Sequence, residues 1–325
     1  MIRLFKIWTA VCAVALVAAC GGSDDPAPPG TVAAEATARG FTALVAAADK
    51  AGLVPALNAD TSSLTVFAPT DAAFNALATT LGFASASAMV TSLDGPMLAK
   101  ILQYHVLPTK KLAADLVSAG ATSAQPTLYS FEGAATTLAV NTAAGVKITD
   151  EVLTQATVTT ADVAASNGVI HVIDKVLVPP GVLDVVQMAK LNPAFSVLVE
   201  AVVAANLATT LSSAGPFTVF APTNDAFTAA LGELNLSKAQ LLASPGLADI
   251  LKYHVVAGNV RAAAVAALPK PAAVTTVQGT AFTVGTTLAI TDGRARTANL
   301  VATDVIASNG VVHVIDKVLL PAVAP

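Results

Sequence analysis

The chain carries four histidines, at matching places in its two halves: His105 and His171, then His254 and His313. Imidazole is the side chain best suited to bind a metal or move a proton near neutral pH. A metal site needs three or four ligands in reach. Each half offers two histidines and no cysteine, with Asp150/Asp292, Asp162/Asp304 and Asp174/Asp316 as the matching carboxylates. His171 and Asp174 lie three apart in a β-branched run. Side chains alternate along a strand, so the two face opposite ways and are poorly placed to share an ion. A hydrolase needs a nucleophile, a base and an orienting group. The sequence has no G-x-S-x-G elbow, no G-x-x-x-x-G-K-[ST] phosphate loop and no G-x-G-x-x-G after a strand. The expectation is therefore no catalytic, cofactor or metal site, with His171 and His313 as buried imidazoles bonded to backbone or a carboxylate. The pairs Tyr104-His105 and Tyr253-His254 hold two of the three tyrosines. Tyrosine is a frequent interface anchor, so these four residues are candidate partner contacts. The alternative is that they cap a helix and pin it to a sheet.

The segments that must position these residues occur twice. Residues 165–179 read ASNGVIHVIDKVLVP and residues 307–321 read ASNGVVHVIDKVLLP, differing at two of fifteen positions. The β-branched run reads as a strand, apolar on both faces and hence central. Pro179 and Pro321 stop it. The dipeptides Asn167-Gly168 and Asn309-Gly310 predict two-residue type I′ turns, with positive φ at both positions. The duplication extends upstream. Thr65-Val66-Phe67-Ala68-Pro69-Thr70 recurs as Thr218-Val219-Phe220-Ala221-Pro222-Thr223, and Tyr104-His105-Val106 as Tyr253-His254-Val255.

Around these segments the periodicity predicts helices and strands in the same order twice. Phe41, Leu44, Val45 and Ala48 share a helical face, as do Phe195, Leu198, Val199 and Val202. A short strand follows at 64–67 and 217–220. Thr70 or Asp71, and Thr223 or Asn224, then cap a helix carrying Phe74 or Phe227. Pro96 and Pro245 sit near the start of the helix that delivers the Tyr-His pair. Gly133 and Gly279 mark hairpins or bulges. Pro179-Pro180-Gly181 is a short hinge between a semi-rigid pair. The fold class is α+β.

The TVFAPT-(D/N)-x-AF segments, the ASNGVIHVIDKVL segments and the Tyr-His pair between them resemble the fasciclin domain, present in both halves over roughly 40–179 and 182–321. The resemblance implies two tandem fasciclin-like domains, each a twisted β-wedge with helices packed on it, at residues 37–180 and 181–325. It also implies adhesion. In animal fasciclin-domain matrix proteins, a segment similar to the Tyr-His pair has been linked to integrin binding.

Residues 1–19 read as a lipoprotein signal peptide. Arg3 and Lys6 precede the apolar run 7–19, and Val17-Ala18-Ala19-Cys20 resembles a lipoprotein box with Cys20 as the lipidated residue. Residues 20–36 read as a flexible tether. Cys12 and Cys20 are the only cysteines, so the domains hold no disulfide or thiol. The net charge is −4, which offers nothing to nucleic acid. The expected protein is a monomeric, non-enzymatic lipoprotein of the cell envelope, on the outer membrane where the host has one, or else secreted. Its expected partners are extracellular matrix, polysaccharide or a cell-surface protein. The alternative is a periplasmic or secreted carrier of a small apolar ligand.

Overall fold

In the computed structural model, which describes residues 28–59 and 63–322, each copy is built around the repeated strand. Gly168–Ile173 and Gly310–Ile315 are buried along their whole length. Each pairs in parallel with the TVFAP strand, Leu64–Pro69 or Phe217–Pro222, and antiparallel with the strand before it, Gln155–Ala165 or Leu300–Ala307. A two-sided apolar strand can only sit between neighbours and under cover on both faces. After each TVFAP strand the threonine hydroxyl accepts an N–H, Thr70 from Ala73 and Thr223 from Ala226, and starts the helices Asp71–Leu81 and Asn224–Leu234. The predicted amphipathic helices are Thr42–Lys50 and Ser196–Ala204.

The repeats differ in their outer strands. The first forms one seven-stranded sheet; the second divides into two four-stranded sheets. The division falls at Asn299, where the first repeat has Thr157 within the continuous strand Gln155–Ala165. Asn is a poor strand former, and Asn299 turns its amide to Asp316 Oδ2 at 2.8 Å. Both repeats bulge at an aspartate with positive φ, Asp162 at 57° and Asp304 at 56°.

The Asn-Gly reading is corrected in its geometry. The two loop residues are Ser166 and Asn167, because Ala165 already pairs with Gly168; the second copy pairs Ala307 with Gly310. Neither asparagine has positive φ. The turn with positive φ at both positions lies instead at Glu132-Gly133. Asn167 serves through its side chain. Its Oδ1 accepts the Val32 N–H at 2.9 Å, and its Nδ2 donates to Leu57 O and Ala59 O at 2.9 and 3.1 Å. Asn309 does the same with Val185, Leu211 and Ser213. Asn167→Ala strands one N–H and two carbonyls in a buried corner. It is expected to cost about 3 kcal/mol, at 1–3 kcal/mol per orphaned group with partial rescue by water. Urea denaturation checks this; an unchanged midpoint would show that the corner is held by other contacts.

The segment read as a tether is also corrected. Residues 32–36 belong to a helix, Val32–Ala38, capped by Thr31, with Val32 and Ala36 buried. The Asn167 bond and the apolar i, i+4 pair hold it on the first domain. Val185–Leu191 is its counterpart in the second. The leader residues 1–19 and Cys20 lie outside the described residues.

The hinge is a packed seam. Pro179 and Pro180 are buried, and Gly181 donates to Ile306 O at 3.0 Å. Gly181 has φ 72°, and a Cβ there would meet the Phe131 ring at 2.2 Å, so only glycine fits. Ser308 donates to Leu183 O, Asn192 Nδ2 to Val152 O, and Tyr129 Oη to Pro180 O. One apolar cluster runs through the helical layers of both domains and across this seam, while each sheet keeps a smaller core of its own.

Candidate functional site

The helices Gly95–Tyr104 and Leu247–Tyr253 end on the Tyr-His pairs and aim both side chains inward. Tyr104, His105, Tyr253 and His254 are each at most 2% exposed. The partner-contact reading of these four is corrected on that ground: a partner cannot touch them while the fold is closed. Tyr253 Oη donates to Ala281 O at 3.0 Å, and Tyr104 Oη reaches Thr137 O at 3.4 Å. Burial pushes both phenols above their ordinary range.

Each histidine sits between a carbonyl and an N–H. His105 Nδ1 bonds Ile101 O at 2.7 Å, and its Nε2 accepts the Leu177 N–H at 2.8 Å. His254 repeats this with Ile250 O and the Leu319 N–H, both at 2.8 Å. The accepting nitrogen must be bare, so both rings are neutral Nδ1–H tautomers. Burial lowers both to about 4. His171 and His313 are bonded in the opposite sense. They accept from Asp162 N–H and Asp304 N–H at Nδ1, and they bond Lys111 O and Val260 O through Nε2. Phe67 and Phe220 lie against their rings. The buried-imidazole reading holds for His171 and His313 and extends to the other pair.

The aspartates matched between repeats also hold backbone. Asp150 Oδ2 accepts from Val178 N–H and pairs with Lys175 at 2.6 Å. Asp292 Oδ2 accepts from Leu320 N–H and from both Nε and Nη2 of Arg296. Burial raises Asp150 despite Lys175. At Asp292 burial pushes upward too, but the Leu320 and Arg296 bonds draw it below the usual range. Glu151 crosses the seam, its Oε1 accepting the Ile306 N–H at 2.6 Å; burial raises it to about 7. Among the described residues no three His, Cys, Asp or Glu side chains are grouped to hold a metal.

Among the described residues two openings could admit a ligand: a cleft of about 430 Å³ at the seam, with Glu132, Arg261 and Asn259 in its lining, and an apolar pocket. In the first domain a pocket of about 380 Å³ lies between the helices Val32–Ala38 and Thr42–Lys50 and the central strands. Its walls include Ala33, Leu44, Ala48, Val66 and Ile170, with His105 behind. The matching pocket of the second domain keeps about 50 Å³.

A family model for the fasciclin domain matches residues 39–179 and again 193–321. The chain belongs to the fasciclin domain family. Fasciclin domains are associated with cell adhesion and binding outside the cell. Protein sll1483 of Synechocystis is 43% identical over 145 residues, covering 43% of this chain and 74% of that protein. The transforming growth factor-beta-induced protein ig-h3 of pig is 34% identical over 165 residues, 50% of this chain but 22% of that protein. Human periostin is 31% identical over 48% of this chain and 18% of its own length. A solved FAS1 domain pair from the insect cell adhesion molecule Fasciclin I covers 88% of this chain and 98% of its own at 18% identity, with a TM-score of 0.46.

The carrier alternative calls for an apolar pocket between helices and sheet, but the sequence does not place it, because the helix that roofs it falls largely in the segment read as a tether. The available signal was Thr31 as an N-cap, followed by Val32 and Ala36 one turn apart. The seam carboxylate Glu151 had no such signal, since the second repeat has Gly293 at that place.

Proposed function

We propose that this chain is a non-enzymatic, lipid-anchored envelope protein that binds matrix, polysaccharide or a cell-surface protein through its two fasciclin domains. The observation that carries this reading is the seam. A shared core and the Glu151–Ile306 bond hold the two domains at one spacing, so weak contacts on both can act together with high effective concentration. The buried histidines and the paired Asp150 and Asp292 are occupied in bracing the fold, which leaves recognition to the outer loops. The test has two parts. Intact mass of the membrane-extracted protein should show a diacyl or triacyl addition that is lost in Cys20→Ser. The chain should also bind a host-surface or polymer extract above an unrelated lipoprotein. An unmodified chain in the medium overturns the anchor, and binding equal to the control overturns adhesion. A second reading, carriage of a small apolar ligand, is favoured by the open pocket of the first domain.

A further inference from the structure

We infer that the first-domain pocket takes a neutral, mainly hydrocarbon molecule, and that the second domain has closed the same site with its own side chains. The inference rests on the carrier reading and adds to it a site and a ligand class. No charged side chain lines the pocket. The polar groups inside its wall are already engaged: both His105 nitrogens are bonded, Thr31 Oγ1 donates to Asn58 Oδ1 at 2.6 Å, and Thr37 Oγ1 donates to Ala33 O at 2.9 Å, which leaves the neutral Asn58 amide nitrogen as a donor at the exposed rim. An ionised head drawn inside would give up its hydration with nothing to replace it. A hydrocarbon body loses nothing there. Thr37, Asn58 and Ala34 are exposed and mark the mouth, where one hydroxyl or carbonyl on the ligand can stay wet. At the ~30 Å³ that a water occupies, the pocket admits on the order of a dozen non-hydrogen atoms.

The second domain supplies the control. Ala33 is replaced there by Val186 and Ala48 by Val202, and Val152 and Leu153 reach in from the first domain across the seam. These side chains account for the smaller volume of about 50 Å³. An empty apolar cavity weakens a fold in proportion to its volume. The repeat shows that this fold can fill the space, with valine at these two positions and with Val152 and Leu153 from across the seam. The first domain instead keeps alanine at both places, as a site that receives a ligand requires.

The test uses the full chain, with 1-decanol and decanoate as probes and titration calorimetry as readout. One 1-decanol per chain is expected, with decanoate at least tenfold weaker. The double variant Ala33→Val/Ala48→Val should bind 1-decanol at least tenfold more weakly than wild type. Methyl-labelled alanine spectra locate the site without any variant: Ala33, Ala36 and Ala48 should move on adding 1-decanol. Decanoate binding as tightly as 1-decanol would overturn the neutral-ligand class and leave the carrier reading standing. Undiminished binding in the double variant, or methyl shifts confined to other residues, would overturn the site. Binding of neither probe would remove both the inference and the carrier reading.

Discussion

Gly310→Ala is expected to cost the second domain at least about 3 kcal/mol, and Gly168→Ala a comparable amount in the first. An added Cβ at Gly310 would lie 2.0 Å from Phe217 O and 2.8 Å from its carbonyl carbon. At Gly168 it would lie 2.4 Å from Leu64 O. The obstacle is backbone, which cannot swing aside as a flexible side chain can. It belongs to the first rung of the parallel pairing, Gly310 with Phe217 and Gly168 with Leu64. Relieving the contact means opening that rung inside the sheet. Overpacking costs about 1–3 kcal/mol, and each buried backbone group left without a partner costs about 1–3 kcal/mol more. For units of this size a kilocalorie moves the melting temperature by roughly 2–8 °C, so a fall on the order of 10 °C is expected in calorimetry. Gly215 shows the same crowding at this corner, since a Cβ there would meet Asn309 O at 2.1 Å. A melting temperature within about a degree of wild type in both variants would show that the strands can part at this rung without loss.

That prediction also marks what the sequence could and could not reveal. The glycine was visible as a required residue because the Asn-Gly pair stands out in both copies. The reason it is required was not visible. Turn statistics are local, whereas the crowding comes from a strand about a hundred residues earlier. Thr70, Thr223 and the Phe41 and Phe195 helical faces were legible because caps and periodicity act over a few neighbouring residues. The Val32–Ala38 helix was not, since its seven residues are largely alanine and its place is fixed by Asn167, 135 residues away. The inward turn of the Tyr-His pairs was illegible for a related reason. Their exposure depends on which side of a helix end meets the sheet, and the acceptors Thr137 and Ala281 lie about thirty residues downstream. The location of the pocket followed the helix: a cavity between helices and sheet could be expected from the alanine and valine content, but without a roof the Ala33 and Ala48 positions carry no meaning.

Acidification from pH 7 to 4 is expected to destabilise both domains, through His105 and His254. Each ring is fully buried, and its Nε2 accepts an N–H, from Leu177 or Leu319. A proton on that nitrogen would face a donor and place a charge in the core. Burial is the main cause of the depression to about 4; Lys175 near His105 and Arg296 near His254 add to it, while Asp292 opposes it at His254. The unfolded chain takes up these protons near the ordinary 6.5, and the folded chain only near 4. Stability is therefore lost as pH falls through that interval, by about 3 kcal/mol per ring at 1.36 kcal/mol for each pH unit. Glu151 acts in the opposite sense. Its carboxyl is raised from 4.5 to about 7, so its contribution is fully present below 4.5 and is lost as pH rises through 7. Burial is again the main cause, with Asp150 and Asp304 adding repulsion. Asp150, raised by burial, sides with Glu151, while His313, lowered by burial, and Asp292, lowered by its hydrogen bonds, side with the two core imidazoles, so the net change on acidification is a loss. Removing Glu151 by Glu151→Gln should steepen it. Proton NMR can follow the imidazoles directly, because the chain has only four histidines. The His105 and His254 signals should stay in their neutral positions from pH 7 to about 5 while the melting temperature falls. A melting temperature at pH 5 equal to or above that at pH 7 would mean that the seam outweighs the cores, and a titration near 6.5 in either ring would mean that it is open to water.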